Sequence, residues 1–302
     1  MIKPDRLKKG DKIGVVAPAS PVFEKDKIDM GVKMLKEQGF DVVLGDSCFK
    51  KYGFLAGNDY IRAKDINDFF KNDEIDAIIC LRGGYGSIRI LDMIDYETIK
   101  NNPKIFCGYS DITAFHLAIY KYTSLITFHG PMICDIAEFD EFTIKSFIDC
   151  LSGNINDKSY SLGILRGKDK DVEGRIFGGN LSLICSLIGT PYENNYENKI
   201  LFIEDIGEEP YKVDRMLNHL RLRGVFENIK AIILGQFTDC SPKDEEKSLS
   251  LNIVFEDFFS NIKVPVYYGL LAGHDKNKIT IPLNTNIKII GDKLYFIEEG
   301  VK

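Results

Sequence analysis

The first 130 residues alternate two textures with little between them, and that alternation leaves few folds open. Short apolar runs at Lys12–Ala17, Asp41–Leu44, Ala77–Leu81, Ile105–Gly108 and Leu125–Phe128 read as strands. Between them, apolar residues return at helical spacing near Asp26–Gln38, Asp59–Lys71, Ser87–Met93 and Ile112–Tyr122. Strands that are apolar throughout need cover on both faces, so the pattern predicts an α/β domain with a parallel sheet between helices. Ligands of such sheets bind beyond the carboxyl ends of the strands. Three unusual loops fall there: Ala17-Pro18-Ala19-Ser20-Pro21, Arg82-Gly83-Gly84-Tyr85-Gly86 and the turn at Ser110.

The texture changes at the polar stretch Ser152–Lys158, and its charged continuation over 166–171 also reads as linker. Beyond Gly174 we expect a helix at Leu181–Ile188, a strand at Ile200–Ile203 and a helix at Val213–Arg223. Further strands are expected at Ala231–Gly235, near Tyr267–Leu270, at Lys278–Ile281 and twice at the C-terminal end. The predicted organisation is an α/β domain over 1–150, a linker over 151–175 and a smaller β-rich domain over 176–302. No apolar run approaches the ~20 residues of a membrane span. No apolar stretch follows the charged N-terminus as in a secretory leader, so the expected compartment is the cytoplasm. A net charge of −6, with both signs interleaved, argues against nucleic-acid or anionic-membrane partners and for a small molecule or peptide. Seven scattered cysteines without a CxxC pair read as buried thiols.

Gly108-Tyr109-Ser110-Asp111-Ile112-Thr113 follows the fourth strand and opens a helix in which Ile112, Phe115, Ile119 and Tyr122 share a face. A serine at such a bend is lifted above the sheet edge, with the first amides of the helix turned toward whatever it attacks. Taken alone it reads more readily as a plain N-cap, since Ser and Asp favour helix starts. The glycines of Arg82–Gly86 let backbone amides approach a ligand, the alternative being a tight strand-to-helix turn. The loop is neither a dinucleotide fingerprint nor a Walker loop, because the required glycine spacing and the Lys-Ser/Thr pair are absent. Amides from this loop and from Asp111 are candidates for the two halves of an oxyanion hole.

A serine nucleophile needs a base, and only four histidines are available. His116 lies inside the helix after Ser110 and reads as packed core, while His219 shares a helix with Arg221 and Arg223 and reads as solvated. His129 in Phe128-His129-Gly130-Pro131 and His274 in Leu270-Leu271-Ala272-Gly273-His274-Asp275 both follow strands, and both are candidates. Glu204 ends the run Ile200–Ile203 with Asp205 and Glu208 beside it, which makes it a candidate orienting acid or a plain loop carboxylate. No HExxH, HxH or paired His/Cys spacing appears, and no metal or cofactor is expected.

Taken in order, these segments resemble the serine LD-carboxypeptidases, a family that includes muramoyl-tetrapeptide carboxypeptidases and microcin-C-type immunity peptidases. The resemblance runs from Gly10-Asp11-Lys12-Ile13-Gly14-Val15-Val16-Ala17-Pro18-Ala19-Ser20 through the Arg82 and Ser110 motifs and His129-Gly130-Pro131-Met132. It continues over Gly178-Gly179-Asn180-Leu181, Gly189-Thr190-Pro191, Glu204-Asp205 and Gly273-His274. It implies a Rossmann-like N-terminal domain, a β-rich C-terminal domain, a site in the cleft between them, and commonly a homodimer. It further implies Ser110 as nucleophile, His274 as base and Glu204 as orienting acid. The oxyanion hole would be the amides of Asp111 and a glycine of the Arg82 loop, taken as Gly84. The implied reaction removes the terminal D-alanine of a murein tetrapeptide, with a small muropeptide as partner.

Arg82 is our own candidate for the substrate's free carboxylate, a structural ion pair being the alternative. The competing substrate within the family is a peptidyl- or aminoacyl-nucleotide, which favours an indole platform; this chain has no Trp, but 14 Tyr and 20 Phe. A non-catalytic ligand-binding protein is the remaining alternative, and the presence of Ser, Glu and His at all three matching places argues against it. One departure is Asn284-Thr285 after Ile281-Pro282-Leu283, where the pattern has a glycine.

Overall fold

The computed structural model describes residues 1–136, 138–156, 158–167 and 171–302. The chain divides into two units, the first made of Met1–Ile155, Lys276–Leu283 and Glu299–Lys302, the second of Asn156–Asp275 and Asn284–Glu298.

The sheet of the first unit contains β1 (Lys12–Val16), β2 (Asp41–Leu44), β3 (Ala77–Cys80), β4 (Ile105–Gly108), β5 (Phe128–His129) and the late strand β12 (Ile281–Pro282). Their order is β12-β5-β4-β3-β1-β2, with β1 to β5 parallel and β12 antiparallel to β5. Every residue of β3 and β4 is buried, as predicted for strands covered on both faces. The chain runs from β1 out to β2 and then crosses back to β3, so the sheet reverses direction between β1 and β3. Loops leaving β1 and β3 at their carboxyl ends flank that switch point, where ligands of doubly wound sheets bind.

The second unit is built on β6 (Ser159–Ser161), β7 (Gly163–Arg166), β8 (Val172–Asn180), β9 (Lys199–Ile206), β10 (Ala231–Thr238), β11 (Val266–Tyr268), β13 (Asn286–Ile290) and β14 (Lys293–Phe296). Its order is β6-β14-β13-β8-β9-β10-β11-β7. The unit is rich in strands, yet its centre is parallel: β8, β9, β10 and β11 run the same way, with antiparallel strands at both edges. Helices Leu181–Leu187, Pro210–Leu222 and Leu251–Phe259 make the crossovers between these parallel strands. The third of these was not expected; Ser250 caps it by accepting from the Ile253 amide.

Several boundaries differ from expectation. The stretch 151–175 is not a free linker: β6, β7 and the start of β8 lie in it, and its backbone pairs with β14, β11 and β13. Residues 168–170 of the expected charged linker lie outside the described residues. The C-terminal domain is not contiguous over 176–302, because 276–283 and 299–302 belong to the first unit. The strand expected at Lys278–Ile281 forms only at Ile281–Pro282, since the amides of Lys278 and Thr280 donate to Thr143 Oγ1 and Ser146 Oγ of the helix Glu141–Leu151. The fifth strand starts at Phe128 instead of Leu125, because Ile2 takes up Ser124 O and the Ile126 amide. Among the described residues no helix is long and apolar enough to cross a membrane.

Candidate active site

In the first unit the sharp turn after β4 begins with a packing constraint. A Cβ on Gly108 would lie 3.0 Å from both Ile112 γ-carbons and press on that side chain, so glycine lets the chain fold back this tightly without displacing Ile112. Tyr109 is extended, and Ser110 follows with φ 63, in the left-handed region that non-glycine residues rarely occupy. Ser110–Ile112 forms one 3-10 turn that runs into the helix Thr113–Thr123. A plain cap would have extended backbone, so the positive φ distinguishes Ser110 from an ordinary helix starter. His116 Nε2 donates to Gly108 O at 2.8 Å, and burial pushes its imidazole down to about 4. It is therefore neutral and holds the end of β4, in line with its expected core role.

The Arg82–Gly86 loop is packed on this turn. A Cβ on Gly83 would sit 3.0 Å from Ser110 Cβ and 3.2 Å from Ser110 Oγ. Gly83 O accepts from the Ser20 amide at 3.2 Å, and the Tyr85 amide donates to Ser20 Oγ at 3.1 Å. The Gly83–Gly84 peptide is trans, so the Gly84 N–H points opposite to the Gly83 carbonyl, away from Ser20. Gly84 itself has φ 101. Asp111 is buried, and its Oδ2 accepts from the Ser87 amide at 2.8 Å, which joins the end of the glycine loop to the serine turn. Burial holds the Asp111 carboxyl above the usual range, with the Ser87 hydrogen bonds and Arg62 pulling the other way. The Gly84 amide donates to no group among the described residues. Arg82 is half-buried and donates from Nη1 to Pro21 O at 3.3 Å.

In the second unit, Glu204 lies near the carboxyl end of β9 with no exposed surface. Its Oε2 is 2.8 Å from His274 Nδ1. Burial raises the Glu204 carboxyl above its ordinary range, opposed by the hydrogen bond from His274. With the carboxylate ionised, Nδ1 carries the proton and Nε2 presents a lone pair. The His274 loop is held by β10, whose ladder with β9 shifts register between Leu234 and Phe237. At that irregularity the Gln236 amide donates to Ala272 O at 2.9 Å, and Gln236 Oε1 accepts from the Asp275 amide at 3.2 Å. Thr238 Oγ1 donates to Asp275 Oδ1 at 2.6 Å. Gly273 has φ 145, so the turn into His274 needs a residue without Cβ. Beside Glu204, Asp205 accepts from Asn180 Nδ2 at 2.9 Å and from Ser182 Oγ at 2.7 Å, which ties β9 to the helix that follows β8.

The first unit thus gathers Ser110, Asp111, Gly84 and Arg82 at the carboxyl ends of its strands, and the second pairs Glu204 with His274. His129 is buried at the end of β5, with its ring 6.0 Å from that of Tyr109, and His219 is exposed on its helix. Sequence reasoning missed Gln236 and Arg62; a bulge in a strand and a buried arginine on a helix leave no motif to read.

A glycine loop packed on a serine turn, and an imidazole clasped by a buried carboxylate, are parts of hydrolytic enzymes. The chain is a peptidase of the LD-carboxypeptidase family: residues 13–130 match the LD-carboxypeptidase N-terminal domain, and residues 173–289 the LD-carboxypeptidase C-terminal domain. It is 40% identical to a probable murein peptide carboxypeptidase of Bacillus subtilis, over 99% of this chain and 95% of that one. Its fold is similar to MccF in complex with glutamyl sulfamoyl guanosine, at TM-score 0.88 and 28% identity over 100% of both chains. It is also similar to a muramoyltetrapeptide carboxypeptidase from Oxalobacter formigenes, at TM-score 0.84 and 31% identity over 94% of this chain and 97% of that one.

Proposed function

We propose that the protein is a serine LD-carboxypeptidase that hydrolyses the amide linking the terminal D-alanine to a murein tetrapeptide. The observation that carries the catalytic part is the buried 2.8 Å pair of Glu204 and His274, an imidazole held with one nitrogen fixed and the other presented as acceptor. In this reading Ser110 Oγ attacks the scissile carbonyl while His274 Nε2 takes its proton. The amides of Gly84 and Asp111 receive the developing oxyanion. His274 then protonates the departing D-alanine amine, the C–N bond breaks, and water repeats the sequence on the acyl-enzyme. Glu204 keeps the ring tautomer and stabilises the imidazolium. Arg82 has one donor on Pro21 O and pairs through the rest of its fork with the carboxylate of the terminal residue. Action on peptidoglycan fragments in the cytoplasm, by a homodimer without a metal or cofactor, completes the proposal.

A second reading is hydrolysis of an aminoacyl-nucleotide conjugate, supported by the likeness to MccF at TM-score 0.88. The test incubates purified protein with a murein tetrapeptide and, separately, with a sulfamoyl aminoacyl-adenylate, and follows products by mass spectrometry. Loss of one D-alanine, absent in Ser110→Ala, is expected; cleavage of the nucleotide conjugate alone would replace the first reading with the second.

A further inference from the structure

Arg62 has no exposed side-chain surface, an unusual place for a guanidinium. It projects from the helix Asp59–Lys71, whose first turn is capped by Asn58. Its Nη1 donates to Pro18 O at 2.5 Å and to Gly86 O at 2.9 Å, and its Nη2 donates to Asp59 Oδ1. One planar group therefore joins the loop after β1 to the loop after β3, on the two sides of the switch point. Asp59 is fixed in turn by Arg89, which donates from Nε at 3.0 Å and from Nη2 at 2.7 Å. Burial lowers the Arg62 guanidinium, and Asp59 opposes that shift as its counter-ion. Gly86 is shaped to this contact, because a Cβ there would come 2.9 Å from Arg62 Nη1.

We infer that Arg62, with Asp59, is a positioning residue that sets the Arg82–Gly86 loop against Ser110. The inference rests on the catalytic reading above, in which the Gly84 amide binds the oxyanion. The loop is fixed at Gly83 and Tyr85 by Ser20, at Gly86 by Arg62 and more weakly by the Arg89 amide at 3.2 Å, and at Ser87 by Asp111. Arg62 is the only one of these holders whose charge reaches both loops through a forked donor, and its Gly86 contact ends the segment that carries the Gly84 amide. A lysine ends about one bond short of the Nη1 position and has no second nitrogen for Asp59, so it cannot hold Pro18 O, Gly86 O and Asp59 together. With Gly86 O left to the longer bond from the Arg89 amide, the loop shifts and carries the Gly84 amide off the developing oxyanion, and a displacement near 1 Å costs on the order of 10²-fold in rate.

The test compares wild type with Arg62→Lys and Asp59→Asn. Sites are counted by titration with a fluorophosphonate that labels Ser110, and kcat and KM for the tetrapeptide are measured per titrated site. Arg62→Lys is expected to lower kcat per site by about 10²-fold with KM within a few-fold, since the amide acts on the transition state. Asp59→Asn is expected to fall between Arg62→Lys and wild type. A merely structural arginine would reduce the number of titrated sites and leave kcat per site unchanged; that result, or values within twofold of wild type, overturns the inference. If Arg62→Lys does not fold, Asp59→Asn carries the same test from a partly exposed position. If wild type labels with the fluorophosphonate but cleaves no tetrapeptide, the substrate reading fails. The inference is then judged on the labelling rate, expected to drop on the order of 10-fold or more in Arg62→Lys because the phosphonyl oxygen occupies the same hole.

Discussion

Replacing Glu204 by Gln separates stability from catalysis at one buried position. The wild-type carboxylate lies 2.8 Å from His274 Nδ1 and is fully buried. When the ring takes a proton in the transition state, the charge centres sit ~4 Å apart, worth about 4 kcal/mol at an effective dielectric near 20. At roughly 1.4 kcal/mol per tenfold, losing that attraction lowers kcat by about 10³-fold. The amide can also turn its NH₂ toward Nδ1, which moves the ring proton to Nε2 where the base needs a lone pair; with that tautomer the loss approaches 10⁴-fold. Stability runs the other way. Burial raises the Glu204 carboxyl, so its ionisation costs folding energy increasingly as pH rises above the ordinary carboxylate value. Gln removes that cost, and the melting temperature at neutral pH is expected to equal or exceed that of wild type. The assay is kcat on the tetrapeptide per titrated Ser110, beside a thermal melt at the same pH. A kcat within tenfold of wild type would refute the orienting role, and a collapsed melt would refute the account of the buried charge.

His129→Ala should be far milder in kcat than His274→Ala, and the reverse ranking would reassign the base. Gly178→Ala places a Cβ 1.9 Å from Phe202 O at φ 138, so urea unfolding should show a loss of about 3 kcal/mol or more; a loss below 1 kcal/mol would contradict that contact. For Asp111→Asn the sign follows from burial, which raises the folded carboxyl. Its contribution is full below about pH 4 and is lost as pH rises through the raised value, so the stability of wild type relative to the variant should fall as pH rises from about 4. A difference that grows in favour of wild type over that range would contradict it.

Much of the first unit is legible because its physics is local. β3 and β4 must be covered on both faces, and a run such as Ala77-Ile78-Ile79-Cys80 carries that requirement in its composition. Asn58 marks the start of the expected helix Asp59–Lys71 by accepting from the Ile61 amide, whereas Asp95 and Asp140 cap in the same way two helices, Tyr96–Asn101 and Glu141–Leu151, that the periodicity did not announce. What the sequence hides is decided by distant partners. Ile2 shifts the start of β5, and Thr143 and Ser146 draw the amides of Lys278 and Thr280 out of a ladder. The edge strands β6 and β7 are short and half-exposed, so their texture is that of a linker until β14 and β11 supply partners. Even the departure at Asn284 has a local cause, because its φ of 69 is the conformation a glycine would fill and asparagine tolerates.

The site divides along the same line. Ser110, Asp111 and the glycine loop stand out because each sits at a strand end with a backbone demand that only certain residues meet. A Cβ on Gly83 would press on Ser110, and a Cβ on Gly108 would press on Ile112, so the glycines are consequences of the turn they build. Glu204 and His274 are seventy residues apart, and nothing local relates them; their pairing depends on β9, β10 and a register shift that no periodicity announces. Arg62 is the extreme case. Read along its helix it is one charged residue among several, yet it is buried because two carbonyls from separate loops and one carboxylate meet at its fork. A guanidinium is desolvated at a cost that needs such compensation, so wherever a chain buries one beside a reactive turn, the groups it holds are the first place to look for what the turn requires.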